Sequence, residues 1–218
     1  MPAFDVDASL FRVAAMFQSS EETRYYLNGV HIEPHHDEGV FLVATDGHRL
    51  LVAHDFSGKI EGGTAIVQLG KDQIKACKEG RGETASRRIV VTDDKQPLTI
   101  TANGAPVAIQ PKWIVDGVFP DWKRVMQGIS GTGRMEAFDA KLVKSFSDAA
   151  EALGVGTGVD VSFATPEGPV LVRFAVPHVV GVVMPIRWNR EKGWPSFLGF
   201  EPFPPPEPEA AEPNSEAA

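Results

Sequence analysis

Lys71, Lys75 and Lys78 recur at i, i+4 and i+7, so a helix across them sets three ammonium groups along one side while Ile74 and Cys77 point elsewhere. The chemistry such a stripe offers is attraction of anions, phosphates above all; the plainer alternative is a solvated outer face. Arg12, Lys141 and Lys144 add cations on two further predicted helices, and Arg81 adds one from a loop. His31, His35, His36 and Asp37 form the one cluster of metal-ligand residue types. Adjacent histidines point apart in a strand, and His35-His36 follows Pro34 in a predicted hairpin loop, so a solvated loop is expected and no metal. His48, in D-G-H-R, could serve an acid or base, yet no partner acid stands at a recognisable spacing. There is no P-loop, nucleophile elbow or cysteine-rich motif. The chain therefore reads as a binding protein rather than an enzyme, and no cofactor is expected.

The elements that position these residues follow one pattern three times in residues 1–188: strand, helix, three strands. The class is α+β. The first unit opens with a strand at 3–6 and a helix capped by Asp7, with Leu10, Ala14 and Phe17 in one stripe beside Val13. Three strands then fall within 23–52, broken at Asn28-Gly29 and Asp46-Gly47. The second unit has a strand at 64–69, a helix at about 70–78, and strands at 88–92, 98–102 and 106–113, with Asn103-Gly104 as one turn. The third has a strand at 133–138, an N-cap at Asp139, a helix at 140–153 and strands at 159–164, 170–176 and 179–188. In its helix Leu142, Val143, Phe146, Ala149, Ala150 and Leu153 make a wide apolar face, with Lys141, Lys144 and Ser145 outside it.

Charge and composition narrow the partners. The formal charge is −8, which by itself opposes nucleic-acid binding. From residue 189 onward there are two basic and six acidic residues, so half of that charge belongs to the tail and the body is only modestly acidic. Such a body can keep a confined basic face. Seven of the 17 prolines fall in the last 24 residues, and the segment from about 201 is expected to be disordered. Trp194, Phe197, Leu198 and Phe200 are expected to pack on the body, or to occupy a peptide site. No run approaches the roughly 18 apolar residues of a membrane span, and the start lacks a secretory signal, so a cytoplasmic protein without a membrane partner is expected. The single cysteine suits a reducing compartment and should be a small buried thiol.

Three phrases are more specific than any periodicity. R-Y-Y-L-N-G at 24–29 with A-T-D-G-H-R-L at 44–50, F-P-D-W-K-R-V at 119–125 and V-V-M-P-I-R at 182–187 resemble, in order, the bacterial beta sliding clamp of DNA polymerase III. The resemblance implies a DNA-clamp fold. Residues 1–128 look like that family's middle domain, and 129–188 look like the second half of its last domain, leaving 189–218 as a tail. The family's first domain and the front half of its last one have no counterpart in these residues.

Rings of this family and its relatives are closed by twelve helix-bearing units. A chain with three implies a homotetramer, closed head to tail by strand pairing between the first unit of one copy and the third unit of the next. A clamp catalyses nothing: it holds duplex DNA topologically, with helices turned inward, which assigns Arg12, Lys71, Lys75, Lys78, Arg81, Lys141 and Lys144 to the DNA side. The resemblance also implies a pocket for polymerase and clamp-loader type peptides carrying a Gln and two large apolar residues. Its matching positions are Arg24, Tyr26, Leu27, Thr45, Gly47, His48, Arg49 and Leu50, then Pro120, Arg124 and Val125, then Val182, Val183, Met184, Pro185, Ile186 and Arg187. Leu27, Leu50, Val125, Val183 and Met184 would form the apolar floor, and Arg24 and Arg187 would meet polar groups. Two functions stay open: an encircling clamp, and a non-encircling decoy or adaptor that binds the same peptides.

Overall fold

Asp7 ends a strand and starts a helix. Its backbone stays extended at φ −65°, ψ 123°, and its carboxylate accepts the Leu10 N–H at 2.8 Å, satisfying one of the donors a helix start leaves open. Strand β1 (Ala3–Asp7) and helix α1 (Ala8–Ala15) follow from that one cap in the computed structural model, which describes residues 2–80, 86–93, 96–127, 138–156, 158–162 and 168–186. The buried face of α1 is Ala8, Phe11, Val13 and Ala14, so the stripe centres on Phe11, with Leu10 only half-buried at its margin.

Three antiparallel meanders carry the fold. The first is β2 (Val30–Pro34), β3 (Val40–Thr45) and β4 (Arg49–Asp55), followed by short strands β5 (Lys59–Glu61) and β6 (Ala65–Val67). After helix α2 (Lys71–Ala76) comes the second: β7 (Arg88–Val91), β8 (Leu98–Ala102) and β9 (Ala105–Gln110). Helix α3 (Trp122–Gln127) precedes α4 (Ala140–Ala152), and the third meander is β10 (Asp160–Ser162), β11 (Val170–Arg173) and β12 (Val179–Val183). The strand before each of the first two helices crosses to the other meander: β1 pairs with β7, and β6 pairs with β2. The two resulting sheets run β5-β1-β7-β8-β9 and β10-β11-β12-β4-β3-β2-β6.

Several expectations change. Tyr25–Leu27 is a 3-10 turn rather than a strand: Asn28 N–H bonds the Tyr25 carbonyl at 3.0 Å, Leu27 turns inward and Tyr25 stays exposed. Helix α3 was not read from the sequence, though Trp122, Val125 and Met126 stand at helical spacing. In α4 Val143 is exposed and Ser145 buried; the Ser145 hydroxyl donates to the Leu142 carbonyl at 2.6 Å, which removes the cost of burying it. Most consequential is the edge of β4. It pairs antiparallel with β12 of the same chain, Leu50 opposite Val182, so that edge is not open to another copy. The strand expected at 133–138, the tail from 189 and its aromatic segment lie outside the described residues.

The core lies between the sheets and the helices. Phe11, Phe17 and Phe146 are its largest fully buried side chains, and Phe146 packs on Phe17 with ring centres 5.0 Å apart. Cys77 is fully buried, and burial pushes its thiol up to about 12. Among the described residues no helix is long and apolar enough to cross a membrane.

Candidate functional site: the β4–β12 seam and the α1–α2 groove

The D-G-H-R turn is built by its own side chains. Thr45 Oγ1 accepts the Gly47 N–H at 3.0 Å and donates to the Arg49 carbonyl at 2.7 Å, while Asp46 accepts the backbone N–H groups of His48 and Arg49. Gly47 has φ +89°, and a β-carbon there would fall 2.5 Å from Arg24 Nη1, so the guanidinium of Arg24 lies across the bare turn. Arg24 is also paired with Glu21 at 2.7 Å. Beyond the turn, the His48 carbonyl accepts the Met184 N–H at 2.8 Å, extending the β4–β12 ladder. Residues 24 and 45–50 are thereby brought together with 182–184, which lie more than a hundred residues further along the chain.

The face of this seam opposite the main core is apolar. Leu50 and Val182 pack with Val43, Val52 and Trp122, so α3 is held on the seam by its first residue. Asp121 accepts the Arg124 N–H at 3.2 Å and starts that helix. Val125 and Met184 remain 39% and 38% exposed, whereas Leu27 is only 3% exposed. Tyr26 is half-buried and presses on the backbone of Gly117, placing the segment that leads to Pro120 beside the 25–27 turn. Pro185 and Ile186 are half-buried, and Arg124 is exposed.

Two expected floor or contact residues have other work. Val183 belongs to the main core beneath the sheet, because adjacent residues of a strand face opposite ways. Arg49 is spent internally: it bonds Asp46 and the Met16 carbonyl and lies 4.7 Å over the Phe17 ring. Arg187 lies outside the described residues, as does Arg81.

On the helix side, Arg12, Met16, Gln18, Lys71, Ile74 and Lys75 line a groove of about 420 Å³ between α1 and α2. Lys71 and Lys75 are exposed; Lys78 is exposed just past the C-cap Cys77, so the stripe runs off the end of a short helix. Arg12 donates to the Ala152 carbonyl at 3.3 Å and ties α1 to α4. Its cation is partly occupied in packing rather than held free. Lys144 is paired with Asp148 at 2.5 Å, and Lys141 is exposed at the start of α4. His35 Nδ1 accepts the Asp37 and Glu38 N–H groups, and its ring stacks on His54 with centres 4.1 Å apart, so that ring shapes its own hairpin.

Sequence reasoning missed the fixture that holds the F-P-D-W segment. His31 stacks on Phe119 with centres 4.7 Å apart and lies 3.2 Å from Glu33, which also binds Lys123 at 2.8 Å. Burial raises the Glu33 pKa, but hydrogen bonds from His31 and Lys123 together outweigh it and bring it from 4.5 to about 2. A carboxylate whose folded pKa is depressed adds stability that is complete above its unfolded value and is lost as pH falls from about 4.5 through about 2. Lys123→Met should therefore shrink the drop in urea midpoint between pH 5 and pH 3 relative to the unaltered chain. An equal drop in both proteins would dismiss the fixture.

Known proteins share sequence and fold with this chain. The family model described as DNA polymerase III beta subunit, central domain, matches residues 8–121. The beta sliding clamp of Caulobacter vibrioides (strain NA1000 / CB15N) is 32% identical over 114 residues, covering 50% of this chain and 29% of that protein. The beta sliding clamp of Rickettsia bellii (strain RML369-C) is 30% identical over 145 residues, covering 64% of this chain and 35% of the relative. The chain thus spans about a third of the length of these relatives. Among solved structures, the sliding clamp of Bartonella birtlesii bound to griselimycin superposes with a TM-score of 0.55 at 18% identity, over 85% of this chain and 66% of that one.

Proposed function

The chain belongs to the DNA polymerase III beta-subunit family and has its α+β clamp fold, and from that premise we propose that it serves as a sliding clamp in DNA replication. In this reading it acts without catalysis, in the cytoplasm. Copies of the chain form a closed ring around duplex DNA, four copies giving twelve helix-bearing units. Polymerase and clamp-loader type peptides dock on the outer seam.

The observation that carries the reading is the β4–β12 seam. It gathers Arg24, the 45–50 turn and residues 182–184 around a floor of Leu50 and Val182 and leaves Met184 and Val125 exposed at its rim. An extended peptide with two large apolar residues has anchors there, and Met184 is a flexible one. The DNA side is supported more modestly, by Arg12, Lys71 and Lys75 sharing one groove. Mobile lysines attract phosphates without fixing any particular one, which sliding requires.

Retention on circular DNA that disappears when the circle is linearised tests encirclement; equal retention on both forms would leave the adaptor reading instead. Changing Lys71, Lys75 and Lys78 together to Glu should lower the slope of log affinity against log salt by about 3, roughly 0.9 per phosphate contact. An unchanged slope would remove these lysines from the DNA side.

A further inference from the structure

We infer that β9 is an interaction surface for a second copy of this chain, the two β9 strands pairing antiparallel about a two-fold axis. The inference rests on the proposed self-assembly and names the edge through which it occurs. The molecule itself supplies the pattern. β4, β9 and β12 are the last strands of the three meanders, and β4 and β12 are already joined edge to edge, antiparallel, along Arg49–Ala53 and Val179–Val183. Among the described residues, β9 is the strand of the same rank that stands at the end of its sheet.

Residue types and exposure together distinguish that edge from the other described sheet ends: β6, at one end of the larger sheet, is uncharged too, but it is buried and bridged to Ile114. Ala105–Gln110 carries no charge, whereas β5 at the other end of the same sheet holds Lys59 and Glu61, and β10 at one end of the larger sheet holds Asp160. Soluble proteins commonly protect an edge strand with charge. In β9, Val107 and Ile109 are instead 46% and 53% exposed, with Ala108 between them packed toward the core.

The strand is also complementary to itself. Pairing centred on Ala108 sets Val107 opposite the partner's Ile109 and Ile109 opposite the partner's Val107, two apolar cross-strand pairs that withdraw four exposed side chains from water. Pro106 falls outside this short ladder, and the register shift at Ile100/Thr101 leaves Val107 without an opposite residue on β8. Gln73 Nε2 reaches the Ile109 carbonyl at 3.2 Å, and a carbonyl oxygen accepts two hydrogen bonds, so capacity remains for a neighbour. A two-fold contact is closed at two copies. A ring containing it alternates two kinds of junction instead of repeating one head-to-tail contact.

A residue on a two-fold axis meets its own copy, which gives a direct test on the full chain. Ala108→Cys should oxidise to a covalent dimer, while Lys59→Cys at the opposite end of the sheet stays monomeric; the unaltered chain, whose Cys77 is buried, is the control. Co-expressed Val107→Cys and Ile109→Cys chains probe the same register at exposed positions and should cross-link to each other. Ile109→Lys should halve the mass seen by light scattering. A monomeric unaltered chain, an oligomer in which neither cysteine test cross-links, or an unchanged mass for Ile109→Lys would overturn the assignment. Retention on circular DNA without these cross-links sinks the β9 contact alone; a cross-linked dimer without retention keeps the contact and sinks encirclement.

Discussion

Met184→Lys is expected to weaken a peptide of the Q-L-x-L-F type by at least about 30-fold, the loss of one anchor of about 2 kcal/mol, with stability within about 0.5 kcal/mol of the unaltered chain. The two effects separate because Met184 is 38% exposed, so an ammonium there stays hydrated in the free protein and is forced against an apolar ligand only on binding. Leu27→Lys does not offer the same separation. Leu27 is 3% exposed beneath the 3-10 turn, and a cation placed there disrupts the fold together with any binding. Anisotropy titration of a labelled peptide, paired with a urea melt of each variant, checks the prediction. Undiminished affinity with an intact melt would take Met184 off the seam's list of anchors.

Which features were legible in the sequence follows from how far each signal reaches along the chain. Local signals were readable: Asp7 and Asp139 both cap helices with their own carboxylates, and Asn103-Gly104 both take positive φ, at 48° and 79°, in the β8–β9 turn. Tyr25–Leu27 misled because a short run of large apolar residues looks alike in a strand and in a 3-10 turn that buries only its last member. Phe11, the centre of the α1 face, was passed over since the phase of so short a helix is set by what it packs against. The β4–β12 seam and the Glu33–Lys123 pair join residues far apart in sequence, and periodicity has no access to those. The seam's membership could be named only because three phrases resemble known clamps. That route carried Val183 and Arg49 into the site along with their neighbours, where packing gives Val183 to the core and Arg49 is bonded to Asp46 and the Met16 carbonyl.

Phe146→Ala is expected to cost about 3–5 kcal/mol, because it removes the side chain through which α4 is packed onto the rest of the molecule. Phe146 is 1% exposed; its ring centre lies 5.0 Å from that of Phe17 and 6.4 Å from that of Phe174, and its edge rests on Gly181 in β12. Three consequences separate this from a generic core deletion. Hydrogen exchange should quicken first in β11 and β12, whose sheet position depends on α4, and later in β1 and β7. Peptide affinity should fall as well, since β12 carries Val182 and leads into Met184. Gly181→Ala, whose added carbon would run into the Phe146 ring, should by itself cost about 1–3 kcal/mol by overpacking. Combined with Phe146→Ala, that carbon enters the vacated space, so the double variant should be more stable than the sum of the two single losses. Strict additivity would mean that the ring and β12 do not share one packed contact, and α4 would then be holding the seam by some other means.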